Sequence, residues 1–180
     1  MLSGWSATLS TELTGKAFNG DYDFNRYIVD MRRYQPLSDY DNINVRVRAA
    51  SATGNVPIQK AFGLGGISTM PAYAFKEFWG NRMVLTNVEY VVDGELFDAS
   101  GFPATILRGV NMILFYDAGY TADAASNEPA LSNFNLNSST IKSDWGFGIG
   151  TRDASVRLGF AWRTDVSESA KIFLRLERPF

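Results

Sequence analysis

Apolar and polar residues alternate with a period of two along most of this chain, the pattern of strands with one apolar and one polar face. The last run, Ala170 to Phe180, sets Ile172, Leu174, Leu176 and Phe180 on one face, interrupted by Arg178. Lys171, Arg175 and Glu177 lie on the other face with Phe173 and Pro179. At the start, Trp5, Ala7, Leu9, Thr11 and Leu13 oppose Ser6, Thr8, Ser10 and Glu12, and Asn19-Gly20 supplies a hairpin turn. A second run, Asp21 to Pro36, places Tyr27, Val29 and Met31 against Arg26, Asp30 and Arg32. In the third, Ile43, Val45, Val47 and Ala49 oppose Asn44, Arg46 and Arg48.

Four more runs follow a long connection at 51–81. About 82–92, Val84, Val88 and Tyr90 oppose Asn87 and Glu89. About 104–119, Val110, Met112, Leu114 and Tyr116 oppose Asn111, Ile113, Phe115 and Asp117. From Ser143 to Arg152, Trp145, Phe147 and Ile149 alternate with Gly146, Gly148 and Gly150, inward glycines that create lumen space or a sharp bend where a loop or another backbone can approach. Val156, Leu158, Phe160 and Trp162 then oppose Ser155, Arg157, Gly159 and Arg163. The segment 121–140, rich in Ala, Asn and Ser, reads as an exposed loop.

Eight such segments predict an all-β fold, a transmembrane antiparallel β-barrel with eight strands per chain and residues 1–180 as one domain. A soluble sheet shares the alternation, but apolar faces on eight segments exceed what a soluble monomer exposes. No run of about 18 apolar residues is present, whereas a barrel strand needs only about 9–11 alternating residues. A mean hydropathy of −0.11 is therefore compatible with a membrane. The opening Met-Leu-Ser-Gly-Trp lacks the segments of a signal peptide, so the reading expects a removed leader or an excised domain.

Composition narrows the chemistry. Aromatics make up 14% of residues, which favours strands, and Trp5, Tyr90, Trp145 and Trp162 suit interfacial girdles. A net charge of −2 without a basic block argues against nucleic acid. With no histidine and no cysteine, the usual general base, histidine-dependent triads, thiolate metal sites and disulfides are excluded. Gly63-Leu64-Gly65-Gly66 lacks the Lys-Ser/Thr and helix of a phosphate loop. The expectation is no cofactor and no enzymatic activity. The inward charges Arg26, Asp30, Arg32, Arg46, Arg48, Arg157, Arg163, Arg175 and Glu177, with Glu12, Glu89 and Asp117, are read as a salt-bridged lumen, since buried charges require partners.

Two stretches carry a family resemblance. Gly65-Gly66-Ile67-Ser68-Thr69-Met70-Pro71-Ala72-Tyr73, followed by Gly80-Asn81-Arg82-Met83-Val84-Leu85-Thr86-Asn87-Val88-Glu89-Tyr90, resembles the long extracellular loop and next strand of BamA/TamA-type outer-membrane barrels, the bacterial surface-antigen family. Leu114-Phe115-Tyr116-Asp117-Ala118-Gly119 resembles that family's aromatic-Asp-x-Gly strand. Ile172, Leu174, Leu176 and Phe180 resemble its closing strand and assembly signal. The match covers the C-terminal eight strands of a barrel that normally has sixteen, without periplasmic repeats. Where the family's loop carries an Arg-Gly pair directed at the aspartate strand, this chain has Pro71 and Ala72, so that cation is missing.

The resemblance implies the outer membrane of a Gram-negative bacterium, a lipid-bilayer environment, and a role in inserting or translocating polypeptide. Self-association through the first and last strands would complete a larger barrel. The alternative is a small closed eight-strand barrel acting as anchor or structural subunit. An eight-strand lumen is filled by its own side chains. The long connection must therefore lie outside, or the lumen must be larger.

Overall fold

The computed structural model describes residues 3–15, 22–96, 109–137, 140–152 and 156–176. Its strands are β1 (Gly4–Thr14), β2 (Phe24–Pro36), β3 (Asp41–Gly54), β4 (Phe62–Leu64), β5 (Phe78–Gly80), β6 (Arg82–Asp93), β7 (Val110–Ala122), β8 (Lys142–Thr151), β9 (Arg157–Arg163) and β10 (Lys171–Arg175). Eight form one sheet in the order β1-β2-β3-β6-β7-β8-β9-β10, with every adjacent pair antiparallel. β4 and β5 make a small hairpin inside the long connection. No helix among the described residues is long and apolar enough to cross a membrane.

The alternation read from the sequence maps onto the two faces. Leu9, Leu114, Phe147 and Ile172 project outward with 70%, 56%, 44% and 68% of their surface exposed, an apolar belt matched to lipid. Trp145 stacks on Trp162 at 5.1 Å between ring centroids, and Phe147 on Phe160 at 5.4 Å. These are direct cross-strand pairs of β8 and β9.

Strand ends depart from the sequence reading where small residues hide the period. β3 continues past Ala49 to Gly54, because Ala50, Ser51 and Ala52 are buried, at 2%, 5% and 0% exposure, and carry no polar-apolar contrast. β7 likewise continues to Ala122, paired with Arg82. The Asn19-Gly20 turn, residues 104–108 of the fifth run, and Glu177 and Phe180 of the last lie outside the described residues.

The sheet is strongly curved. Glu89 on β6 and Arg157 on β9 form an ion pair at 2.5 Å across two intervening strands, although three strand spacings in a flat sheet span about 14 Å. Rings of Phe115 on β7 and Phe173 on β10 also meet, at 5.8 Å. The core occupies the concave side. There Phe62, Leu64, Met70, Ala72 and Tyr73 of the connection pack on Ala50, Ala52, Met83, Leu85, Phe115 and Phe173 of the sheet. Burying each large side chain contributes about 1.5–3 kcal/mol, so the connection is a structural part of the molecule. Among the described residues no ladder joins β10 to β1, which leaves both as sheet edges.

Candidate functional site

The connection between β3 and β6 turns inward, and its apex is the centre of the concave face. Gly65 and Gly66 adopt φ of 105° and 89°, left-handed backbone that favours glycine. They allow a tight apex in which Gly66 N–H faces the carbonyls of Met70 and Tyr73, each at 3.1 Å. A Cβ on Gly65 would lie 2.1 Å from the Ala74 carbonyl oxygen.

All eight sheet strands hold this connection, β3 through Ala50 and Ala52 of the core. Lys60 pairs with Glu12 of β1 at 2.5 Å, and the Arg26 guanidinium of β2 lies 4.7 Å from the centre of the Phe62 ring. Asn87 Nδ2 of β6 donates to the Thr69 carbonyl at 2.9 Å. Leu64 and Met70 fill the space over Gly119 of β7, where a Cβ would meet Leu64 at 2.5 Å and Met70 Sδ at 2.9 Å. On β8, Ala72 N–H donates to Asp144 Oδ2 at 2.7 Å and Tyr73 O–H donates to the Ser143 carbonyl at 3.0 Å. Arg163 of β9 pairs with Glu77 at 3.3 Å and packs over the Tyr73 ring. Arg175 of β10 donates to the Ile67 carbonyl.

Within this contact sits an acidic pair. Asp117 on β7 and Asp144 on β8 are register partners, with 5% and 0% exposure. Asn87 Nδ2 donates to Asp117 at 2.7 Å, while Asp144 Oδ1 lacks a hydrogen-bond partner among the described residues. Neither carboxylate belongs to an ion pair among the described residues. At the apex, the donor to Asp144 is the backbone N–H of Ala72.

The remaining lumen charges divide into groups. Arg157 donates two bonds to Glu89, at 2.5 and 3.2 Å, with both side chains under 5% exposed. Asp30 collects Arg46 at 2.6 Å, Arg32 at 3.1 Å and Arg48 at 3.9 Å. Arg26 joins Glu12 at 2.8 Å. Tyr90 faces outward, donating to Asp41 at 2.7 Å. Two inward glycines receive aromatic rings: a Cβ on Gly146 would lie 2.4 Å from Cζ of Phe115, and one on Gly159 2.4 Å from Cζ of Phe173, whereas Gly148 and Gly150 face the backbone of β9 and its approach. The connection itself closes on Gly119.

Outside the strands, burial and the nearby Asp165 carboxylate push the Tyr73 hydroxyl up to about 12. Hydrogen bonds from Arg163 and then Lys142 hold Asp165 well below the usual carboxylate range, despite the opposing cost of burial.

Two structural residues went unread in the sequence. Asp144 shows only a charge beside glycine-rich alternation, with nothing to mark it as the apex acceptor. Arg82 is fully buried and donates to the carbonyls of Ala52, Ser132 and Pro129 at 2.5, 3.1 and 2.9 Å. Asn81 exchanges hydrogen bonds with Ala124, at 2.6 and 2.7 Å. The Gly80-Asn81-Arg82 stretch thereby clamps the β7–β8 loop, and its position next to a glycine was the available signal: a Cβ there would meet the Ala122 carbonyl at 2.3 Å.

Comparison with known proteins places this geometry. The fold is similar to that of BamA from Haemophilus ducreyi lacking POTRA domains 1-3, with a TM-score of 0.69 and 15% sequence identity. The match covers 95% of this chain and 37% of that one. Among curated proteins no sequence matches. The Omp85 superfamily domain matches residues 2–172. An antiparallel sheet with an outward apolar belt, an inward-folded connection and that sequence match together make this chain a member of the Omp85 superfamily, located in the outer membrane of a Gram-negative bacterium.

Proposed function

We propose that residues 1–180 form a single membrane domain that pairs with a second copy, β1 of each meeting β10 of the other, and that the paired barrel helps insert or translocate polypeptide. The observation carrying this reading is a sheet in which no ladder joins β10 to β1 among the described residues and whose concave side already holds a long connection. Eight strands close around a lumen just filled by their own side chains. Here the 55–81 segment occupies that space, so a ring of eight has no room for it. Unpaired edge N–H and C=O groups in lipid each cost several kcal/mol, and a two-fold pair satisfies two edges on each copy at once.

β1 supports the same reading. Its outward Trp5 and Leu9 are 71% and 70% exposed, and its inward Ser6, Thr8 and Ser10 are exposed as well. A strand so little covered on either face is suited to a partner strand. The resemblance to half of a sixteen-strand barrel agrees with pairing, and the family's link to outer-membrane assembly supports the polypeptide role.

Single cysteines at Leu9 and Leu174 test it, because the chain has none of its own. Both positions face outward near the middles of the two edges. Disulfide-linked dimers from a mixture of the two single variants are expected. Crosslinking confined to chains carrying both cysteines would establish the closed eight-strand barrel, the form suited to an anchor or structural subunit.

A further inference from the structure

We infer that the open cavity between the β4–β5 hairpin and the β7–β8 loop is a binding site for a neutral pyranose sugar, with the Trp79 ring as its stacking platform. The cavity measures about 370 Å³, within the range of about 300–1,000 Å³ usual for small-molecule sites. One wall comes from the 54–61 segment that leaves β3, the next from Trp79 and Asn81, and the last from Asp123, Ala124 and Ser126 of the loop. All of its lining residues are among the described ones, and none is a Lys or Arg.

Trp79 reaches this cavity because strand alternation divides β5. Phe78 packs on the Tyr73 ring at 5.2 Å and against the core, so its neighbour turns to the opposite side. There the Trp79 ring is 53% exposed and meets no other ring or cation among the described residues. An interfacial girdle does not account for it, since the hairpin packs on β6 and β7 from the concave side, away from the outward apolar belt.

The polar groups around the ring are uncommitted but firmly mounted. Asp123 Oδ1 accepts from Asn81 N–H at 3.2 Å, which leaves Oδ2 without a partner among the described residues. The Asn55 amide and the Ser126 hydroxyl make no side-chain hydrogen bond among the described residues. Their backbones are fixed nonetheless: Asn55 N–H donates to the Asp23 carbonyl at 2.8 Å, and the Ser126 carbonyl accepts from Gly54 N–H at 2.9 Å. Such mounting lowers the ordering cost of binding.

An amide, a hydroxyl and a carboxylate oxygen together offer donors and acceptors to sugar hydroxyls. A carboxylate with no cation in the lining disfavours an anionic ligand, and a flat indole face suits the C–H face of a pyranose whose hydroxyls are equatorial. Val56, Ile58 and Ala61 add an apolar wall, matched to the methyl of an N-acetyl group. The occupant is thus a gluco-configured 2-acetamido sugar arriving from water. The site belongs to one chain and does not depend on how β1 and β10 are joined.

The full chain in phosphatidylcholine nanodiscs is titrated calorimetrically with chitotriose and with cellotriose, which has the same backbone without N-acetyl groups. Saturable chitotriose binding is expected, tighter than that of cellotriose by about threefold or more, the effect of burying a methyl. Trp79→Ala is expected to weaken it about tenfold or more, and Trp79→Phe, which keeps a ring, to retain most of it. Asn55→Ala removes a side chain that holds nothing in the fold and is expected to cost about two- to tenfold, one neutral hydrogen bond. Heat-modifiable migration on gels checks that each variant is folded. Absence of chitotriose binding by the folded wild-type chain, or affinity unchanged in folded Trp79→Ala, would overturn the site. Cellotriose binding as tightly as chitotriose would overturn the N-acetyl assignment.

Discussion

The buried charges of the concave face differ in what their loss should do. Glu89 and Arg157 satisfy one another at under 5% exposure. Arg157→Leu strands a buried carboxylate, and a loss of about 3–5 kcal/mol is expected, while replacing both partners by apolar residues costs much less. Asp117 and Asp144 present the opposite case: two adjacent carboxylates, neither in an ion pair among the described residues. Asp144→Asn keeps an acceptor for Ala72 N–H and removes a charge, so it should raise resistance to unfolding in detergent. Asp144→Ala should lower it by about 1–3 kcal/mol through the unsatisfied N–H. If both variants prove equally destabilising, the carboxylate charge itself is needed at the apex. Tyr73 adds a pH dependence. Its neutral form is favoured in the fold, so its contribution is complete below its ordinary value of 10.0 and is lost as pH rises through about 12. Comparing thermal midpoints of wild type and Tyr73→Phe across that range should show the extra loss only in wild type.

Among the elements, the connection between β3 and β6 behaves as part of the sheet's packing although it lies outside the sheet's hydrogen bonding. Its hold depends on empty space at Gly119, which Leu64 and Met70 occupy. Gly119→Val should displace the apex and speed tryptic cleavage at the surface residues Lys60 and Lys76 by loosening the backbone around them, whereas Gly109→Val, where a Cβ meets nothing within 4 Å, should not. Equal cleavage in the two variants would show that the connection is not held at Gly119. The Gly80-Asn81-Arg82 clamp operates at the opposite end of β6 from the Tyr90–Asp41 bond. One strand therefore anchors both the β7–β8 loop and the start of β3.

Taken whole, the described residues form a curved sheet with an apolar belt on its convex side and its own chain on its concave side, and under the proposed pairing its edge strands β1 and β10 join two copies. Phe180 ends a segment resembling the family's assembly signal and lies outside the described residues. A single interfacial aromatic contributes about 1.5–3 kcal/mol at most by burial. Phe180→Ala is therefore expected to reduce insertion in cells far more than resistance to unfolding in detergent. Equal defects in the two measurements would assign it a purely structural role.

How much of this was legible beforehand follows from the range of the interactions. Period-two alternation is local, so the outward faces of β6 to β9, the inward charges and the approximate strand order could be read directly from residues such as Met112, Leu114 and Tyr116. The family resemblance drew attention to the connection and to Pro71 and Ala72 within it. The path of the connection was beyond local reading, because Ala72 N–H meets Asp144 seventy-two residues away and Tyr73 meets Ser143 seventy residues away. Strand ends built from Ala50, Ser51 and Ala52 were hidden because their burial comes from distant segments, the connection over Ala50 and Ala52 and the β7–β8 loop whose Ala130 carbonyl accepts from Ser51. The sequence by itself determined which residues face lipid. Only the tertiary structure decided that the long connection fills the concave side, because that placement depends on curvature and on contacts with all eight strands of the sheet.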